Sequence, residues 1–154
     1  MAGERSSFSH LDEKGKARMV DVSAKPKVRR TARAEGKIYL AADTIRRIRE
    51  NLIEKGEVLS VARIAGVTAA KRTAELIPLC HNIAIDWADV QFELAESSVT
   101  ITAIAVCTDK TGIEMEALTA VSVAALTIYD MCKAVDPGMR IGDIHLLEKT
   151  KEDA

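Results

Sequence analysis

Aromatic residues are scarce in this chain, where they supply 3% of 154 residues. The hydrophobic content is nevertheless 47%, so the core has to be built mainly from Ala, Val, Ile and Leu. Such residues suit close helix packing and short β-branched strands. Scarce aromatics also leave few side chains on which nucleic-acid bases could stack. A chain of this length is expected to form one compact domain.

Cysteine is also scarce, and Cys80, Cys107 and Cys132 show no Cys-x-x-Cys spacing. This odd set argues against both a disulfide framework and a zinc ribbon. No charge-free apolar run reaches the length of a transmembrane helix, and the first residues contain no apolar signal core. We therefore expect reduced thiols, no metal site and a cytoplasmic protein.

The charges nearly cancel, since the formal net charge is −1. Attraction of the whole molecule to nucleic acid or anionic lipid is therefore weak. Nine Lys or Arg residues do fall between Lys14 and Lys37. Gly, Pro and Ser interrupt any amphipathic period in this basic arm. The arm either folds over an anion or is a solvated tail.

Hydrophobic periodicity predicts an α+β fold. The predicted elements are a strand over 36–40, helices over 42–54 and 57–76, an antiparallel hairpin over 82–108 with a bulge at Ala88–Asp89, a helix over about 116–134 and a strand over 143–147. The order β-α-α-β-β-α-β is satisfied by a ferredoxin-like antiparallel sheet with helices packed on one face. We expect a single domain over 21–148, a flexible segment over 1–20 and a short tail over 149–154.

The last predicted helix carries no charge over residues 117–129, so it can be buried all round. Glu114 and Glu116 precede this segment. They share one side if the chain there is extended and diverge if it is helical. Asp130 and Lys133 follow it as neighbours on one helical face. Helix-dipole complementation and ion pairing explain these charges as readily as catalysis does.

His81 lies in a Pro-Leu-Cys-His loop between a predicted helix and a predicted strand. An imidazole placed there can contact a ligand and exchange protons near neutral pH, although loop histidines are more often surface residues. No glycine-rich phosphate loop is present. Phosphate recognition would therefore depend on dispersed cations such as Arg30, Lys55 and Lys71.

Six segments of the chain, in order, resemble the cyclic pyranopterin monophosphate synthase family, also called molybdenum cofactor biosynthesis protein C. The segments are 19–25 (MVDVSAK), 62–66 (ARIAG), 69–73 (AAKRT), 76–81 (LIPLCH), 110–120 (KTGIEMEALTA) and 123–134 (VAALTIYDMCKA). Each segment is moderately specific by itself. Their order and spacing, from about Ser9 to Leu147, are those of a single family.

The resemblance implies a lyase that converts 3′,8-cyclo-7,8-dihydroguanosine 5′-triphosphate into cyclic pyranopterin monophosphate and diphosphate. It implies catalytic positions at Asp130, Lys133, Lys55 and Lys71, with Asp130 as the acid/base. It implies substrate-binding positions at Leu79, Cys80, His81, Glu114, Met115, Glu116 and Arg30. No resident cofactor is expected, and the sequence leaves open whether Mg²⁺ accompanies the triphosphate.

The resemblance further implies a homohexamer of three dimers with active sites at the dimer interface, and no nucleic-acid or membrane partner. Many family members have a Gly-Gly-Lys-Ser-Gly tail after the last strand, and this sequence leaves open whether Lys149 or Lys151 takes its place. Two other functions stay open at this point. One is a non-catalytic nucleotide- or pterin-binding regulatory module. The other is an RNA-binding protein that uses the basic arm, against which the net charge argues.

Overall fold

The structure is a computed structural model that describes residues 11–153. Its elements are β1 (Val28–Tyr39), α1 (Ala42–Arg49), α2 (Val58–Lys71), α3 (Thr73–Leu76), β2 (Ile85–Leu94), β3 (Ser98–Asp109), α4 (Glu114–Cys132) and β4 (Arg140–Glu152). The strands form one sheet in the order β2-β3-β1-β4, and all neighbours are antiparallel. Helices pack on one face of this sheet, so the predicted α+β fold of ferredoxin-like character is confirmed. Residues 1–10 of the predicted N-terminal segment lie outside the described residues.

Strand β1 occupies the middle of the sheet, and its inner face is made of small residues. Ala32 pairs with Ala105 of β3, and Ala34 pairs with Ala103. These four side chains are at most 1% exposed. Because they project little from the sheet, α4 can lie close to it and fill the space with its own Ala, Val and Ile side chains. The core is therefore filled by close packing of the helix on the sheet, without large side chains from β1.

Helices α2 and α4 approach each other closely at Gly66. A Cβ atom at this position would lie 3.0 Å from the Ala120 carbonyl oxygen and 2.8 Å from Val90 Cγ2. An alanine would therefore have to displace α2 from both α4 and the sheet. Helix α4 has the length and composition of a membrane span, but 56% of its most apolar window is buried in this core.

Strand β1 is much longer than predicted, because it begins at Val28. The second half of the predicted basic arm is therefore a central strand, and only the part before Val28 is outside the sheet. Before Gly36, the inward positions of β1 carry Val28, Arg30, Ala32 and Ala34, and alanine is uncommon in strands. For that reason the sequence shows no clear alternation of apolar and polar residues there, and it does not indicate a strand.

Strand β4 is also longer than predicted, since it runs from Arg140 to Glu152. Residues 149–152, expected in the C-terminal tail, pair with the first half of β1. Their charged side chains resemble a solvated tail in sequence. Pairing with a central strand satisfies their backbone groups instead.

The predicted helices differ from the structure at their ends. Helix α1 stops at Arg49, because Asn51 takes the left-handed conformation with φ of 55°. The helix predicted over 57–76 is interrupted at Arg72, which separates α2 from α3. The irregularity in β2 lies between Ile85 and Trp87. The bulge predicted at 88–89 is therefore placed about two residues too late in the chain.

Candidate active site

A cavity of about 260 Å³ lies between the loop that precedes β2 and the start of α4. We term it the His81 pocket. Six of the predicted substrate-binding residues line it, namely Leu79, Cys80, His81, Glu114, Met115 and Glu116. The structure thus brings together two loops that are more than thirty positions apart in sequence.

Glu116 supplies a buried carboxyl group to this pocket. It lies in the first turn of α4 and is 3% exposed. Burial, and to a smaller extent the nearby charge of Glu114, raises the pKa of Glu116 to about 7. A carboxyl with such a pKa can take up or release a proton under neutral conditions.

Glu114 diverges from Glu116 because the chain is already helical at both positions. Its carboxylate oxygen lies 3.2 Å from Lys149 Nζ on β4, and 28% of its side chain is exposed. One glutamate is therefore paired and partly solvated, whereas the other is buried without a cationic partner among the described residues. The helical alternative from the sequence is the one observed.

His81 Nε2 lies 2.6 Å from the carbonyl oxygen of Val20. A carbonyl can only accept a hydrogen bond, so Nε2 carries the hydrogen. In the neutral imidazole, Nδ1 is then the proton acceptor. The neighbouring Cys80 is partly buried, and this burial raises the pKa of its thiol. Cys80 therefore presents a thiol to the pocket, and this argues against a nucleophilic thiolate there.

A second group of predicted residues surrounds Asp130. Lys55 Nζ lies 3.0 Å from one carboxylate oxygen of Asp130, and Lys133 Nζ lies 2.8 Å from the other. Hydrogen bonds from Lys133, and then from Lys55, lower the pKa of Asp130. Asp130 in turn raises the pKa of Lys133. We term these three residues the Asp130 cluster; all three side chains are about half exposed.

The His81 pocket and the Asp130 cluster lie at opposite ends of α4. At the rise of an α-helix, Glu116 and Asp130 are about 21 Å apart along its axis. Within one chain, the two groups therefore cannot contact the same small reacting centre. The sequence placed both groups in one site without resolving this separation.

Arg30 is a fixed residue of β1, so its expected place on a mobile arm was wrong. Its Nε donates to the Asp109 carbonyl at 3.3 Å, and its Nη2 donates to the Lys110 carbonyl at 3.4 Å. Arg30 lies outside the His81 pocket. It lines an adjacent cavity of about 230 Å³ that also contains Lys149 and Lys151.

Lys71 stands apart from both groups. It lies at the end of α2 and lines an open groove with Arg63 and Trp87, among other residues. The structure therefore does not bring Lys71 to the His81 pocket or to the Asp130 cluster of the same chain. The resemblance had predicted a catalytic position for it.

Sequence reasoning missed the segment of residues 20–25, from which Val20, Val22 and Lys25 line the His81 pocket. It also missed the contact of Lys149 with Glu114. The only signal was the match of residues 19–25 to the family, because no local spacing relates this segment to His81.

The remaining thiols lie in the core. Cys107 and Cys132 are both fully buried, and burial raises the pKa of each thiol to about 11. No group of three or more His, Cys, Asp or Glu residues that could hold a metal ion occurs within residues 11–153.

The comparisons with known proteins all indicate the same family. The model of the MoaC family matches residues 19–152. A cyclic pyranopterin monophosphate synthase of Peptoclostridium acidaminophilum is 57% identical over 143 residues, which cover 93% of this chain and 91% of that protein. The enzyme of the same name from Heliobacterium modesticaldum is 58% identical over 145 residues, with coverage of 93% and 91%. A molybdenum cofactor biosynthesis bifunctional protein of Chlorobaculum tepidum is 54% identical over 143 residues, but these cover only 46% of its length.

Proposed function

Since the chain belongs to the MoaC family, we propose that it is a cyclic pyranopterin monophosphate synthase, a lyase of molybdenum cofactor biosynthesis. The observation that carries this proposal is the His81 pocket, where two family segments meet around a buried carboxyl group and an imidazole. Its substrate is a small molecule of that pathway. The reaction taken from the resemblance converts the cyclised guanosine triphosphate into the cyclic monophosphate and diphosphate.

This reaction needs proton transfer as the purine-derived ring opens and is rebuilt. Glu116 has a pKa of about 7, and His81 presents Nδ1 as an acceptor in its neutral form. A carboxyl with this pKa suits general acid–base chemistry near neutral pH, and the Nδ1 of His81 offers a proton acceptor beside it. We assign the heterocycle to the His81 pocket, with Glu116 and His81 as the groups that exchange protons with it.

The reaction also needs charge stabilisation, because a hydroxyl group attacks the α-phosphate and breaks its bond to the departing diphosphate. Two ammonium groups flank the ionised Asp130 in the Asp130 cluster. A polyphosphate can replace the carboxylate as their partner. Asp130 would then be released to receive the proton of the attacking hydroxyl group, in keeping with its family position as acid/base.

One chain does not contain a complete site, since its two halves are about 21 Å apart along α4. We propose that a second copy supplies the missing half, within the homohexamer of three dimers expected from the family. A two-fold axis at the middle of α4 would pair the Glu116 end of one helix with the Asp130 end of the other. Such an isologous contact would create two equivalent sites per dimer.

The outward side of α4 is suited to that contact. Met115, Ser122, Leu126, Asp130 and Lys133 follow one another at helical spacing along it, and none of them is buried. Leu126, near the middle, is 58% exposed. An uncharged centre between two functional ends fits a second copy of the same helix better than it fits solvent.

The enzyme assignment is tested by supplying the cyclised nucleotide and measuring diphosphate release. We expect turnover by the wild type and severe losses in Asp130→Asn and Lys133→Ala. The Asp43→Asn variant is a matched control, because Asp43 also pairs with two cations and is equally exposed. Binding without turnover by the wild type would favour a regulatory module, and equal rates in all variants would remove the Asp130 cluster from the mechanism.

The shared site is tested by mixing Glu116→Gln with Asp130→Asn after dissociation and reassembly. If each site combines Glu116 of one copy with Asp130 of the other, mixing restores about a quarter of the wild-type activity. If both residues act within one chain, mixing restores none. Light scattering should show a species well above 16.7 kDa, and a fully active monomer would contradict the proposal.

The contact face can be tested separately with Leu126→Asp, which places a charge at its centre. We expect dissociation and loss of turnover. Leu52→Asp is the control, since Leu52 is 54% exposed but lies outside α4. Dissociation of both variants, or of neither, would argue against this face. We further propose a cytoplasmic location, no resident cofactor, and Mg²⁺ as a companion of the substrate triphosphate.

A further inference from the structure

Residues 20–25 pass over the His81 pocket, and we term this segment the strap. Val20, Val22 and Lys25 face the cavity from it. No element of regular structure includes the strap, so its position depends on individual contacts.

The strap is folded on itself by two turns. The Asp21 carboxylate accepts the Ser23 backbone N–H at 2.9 Å, and the Lys25 N–H donates to the Val22 carbonyl at 3.0 Å. Hydrogen bonds from Ser23 lower the pKa of Asp21. Each of these bonds joins residues of the strap itself, so the strap needs contacts from outside to stay ordered over the pocket.

Among residues 11–153, two side chains outside the strap hold it by hydrogen bonds. His81 Nε2 donates to the Val20 carbonyl at 2.6 Å, and Lys110 Nζ donates to the Ser23 carbonyl at 3.2 Å. His81 also lines the ligand cavity, so one imidazole ring borders both the strap and a ligand. Lys110 does not line the cavity, so its attachment to the strap needs no change when a ligand binds.

Lys110 is itself firmly placed. Its backbone N–H donates to the Asp109 carboxylate at 2.7 Å. The Arg30 guanidinium also binds the carbonyl oxygens of Asp109 and Lys110. The turn after β3 is thus tied to the central strand, and the Lys110 ammonium extends from it to the strap.

We propose that Lys110 is a positioning residue for the reaction, which acts by holding the strap over the His81 pocket. It holds the strap in place while His81 keeps its Nε2 bond to the Val20 carbonyl and presents Nδ1 to the ligand. This inference depends on the proposed function only for the identity of the ligand that occupies the pocket. The attachment itself is a property of the ligand-free protein.

The test compares Lys110→Met, Lys110→Arg and Lys27→Met. Met removes the ammonium and keeps the length of the side chain, whereas Arg can still donate to the Ser23 carbonyl. Lys27 is an exposed control just beyond the strap. In ligand-free protein, hydrogen exchange of the strap amides should become about tenfold faster in Lys110→Met. It should stay at the wild-type rate in Lys27→Met and in Lys110→Arg.

With substrate, Lys110→Met should raise KM by about fivefold to tenfold and change kcat by less than about twofold, and Arg should restore KM. Unchanged strap exchange in Lys110→Met would overturn the inference, even if the enzyme turns over as proposed. Faster exchange with an unchanged KM would also overturn it. A wild type without turnover would instead defeat the proposed function, and the exchange result would still decide whether Lys110 holds the strap.

Discussion

The two ends of α4 place a carboxyl group in opposite environments. Glu116 is 3% exposed and its pKa is raised to about 7, whereas Asp130 is half exposed between two ammonium groups that lower its pKa. At neutral pH, Glu116 is divided between its two protonation states, while Asp130 is ionised. One helix can therefore supply one carboxyl group that is partly protonated and another that is fully ionised at neutral pH, because their surroundings differ.

The largest expected effect concerns the charged end. Asp130→Asn should lower kcat by about 10³-fold, because it removes the proposed acid/base and releases two lysines from their partner. Diphosphate release at saturating substrate measures this loss. Asp43→Asn should retain the wild-type rate. A loss of less than about tenfold in Asp130→Asn would place the proton transfer elsewhere.

A smaller loss is expected at the buried end. Glu116→Gln should lower kcat/KM by about 10²-fold at neutral pH, and it should remove a bend of the wild-type pH profile near pH 7. Profiles between pH 5 and pH 9 test both statements. Glu114→Gln is the comparison, because it changes the neighbouring carboxyl but should keep the bend. Survival of the bend in Glu116→Gln would assign it to another group.

The same substitution should have a stability effect of known sign. The folded pKa of Glu116, about 7, exceeds its ordinary value of 4.5. The folded state therefore binds the proton more tightly, and the wild type loses stability as the pH rises from about 4.5 to 7. Glu116→Gln should be more stable than the wild type by about 3 kcal/mol at pH 8 and equal to it at pH 4. Urea denaturation at both pH values checks this difference, which a constant offset would contradict.

The smallest expected effect is the stability change of Asp130→Asn. Its partners are exposed, and exposed ion pairs contribute little to folding. Its lowered pKa confines any contribution to pH values above the unfolded pKa, and that contribution is lost only in acid. The denaturation midpoint should therefore stay close to that of the wild type between pH 5 and pH 8, as in Asp43→Asn. A pH-dependent midpoint in this range would mean that Asp130 is less solvated than it is in the structure.

The sequence predicted α4 and the β2–β3 hairpin well, because a long charge-free helix and strict alternation are strong local patterns. It placed the start of β1 at residue 36 instead of Val28, since a segment rich in Arg and Ala carries little strand signal. The contacts of Lys110 and His81 with the strap span 87 and 61 positions. No local pattern encodes such contacts, so only the folded chain reveals them.

The resemblance predicted residues for both halves of the proposed site but did not indicate their distance from each other. That distance depends on the length of α4 and on the direction in which each side chain leaves it. Helical spacing alone places Asp130 and Met115 on one side, and this follows from their numbers in the sequence. The exposure of Leu126 between them is what makes this side a candidate contact for the proposed second copy.

Helix α4 also restricts which insertions and deletions the chain can accept during evolution. An inserted or deleted residue between Glu116 and Asp130 would rotate one end relative to the other by about 100°, so the acidic group at 130 would leave the outward side. Helix α2 approaches α4 closely at Gly66, next to Ala120 and Ala124. This close contact leaves no room for a bulge in α4 that would absorb the change. Loops elsewhere in the chain can lengthen, whereas the number of residues in this helix is expected to be invariant.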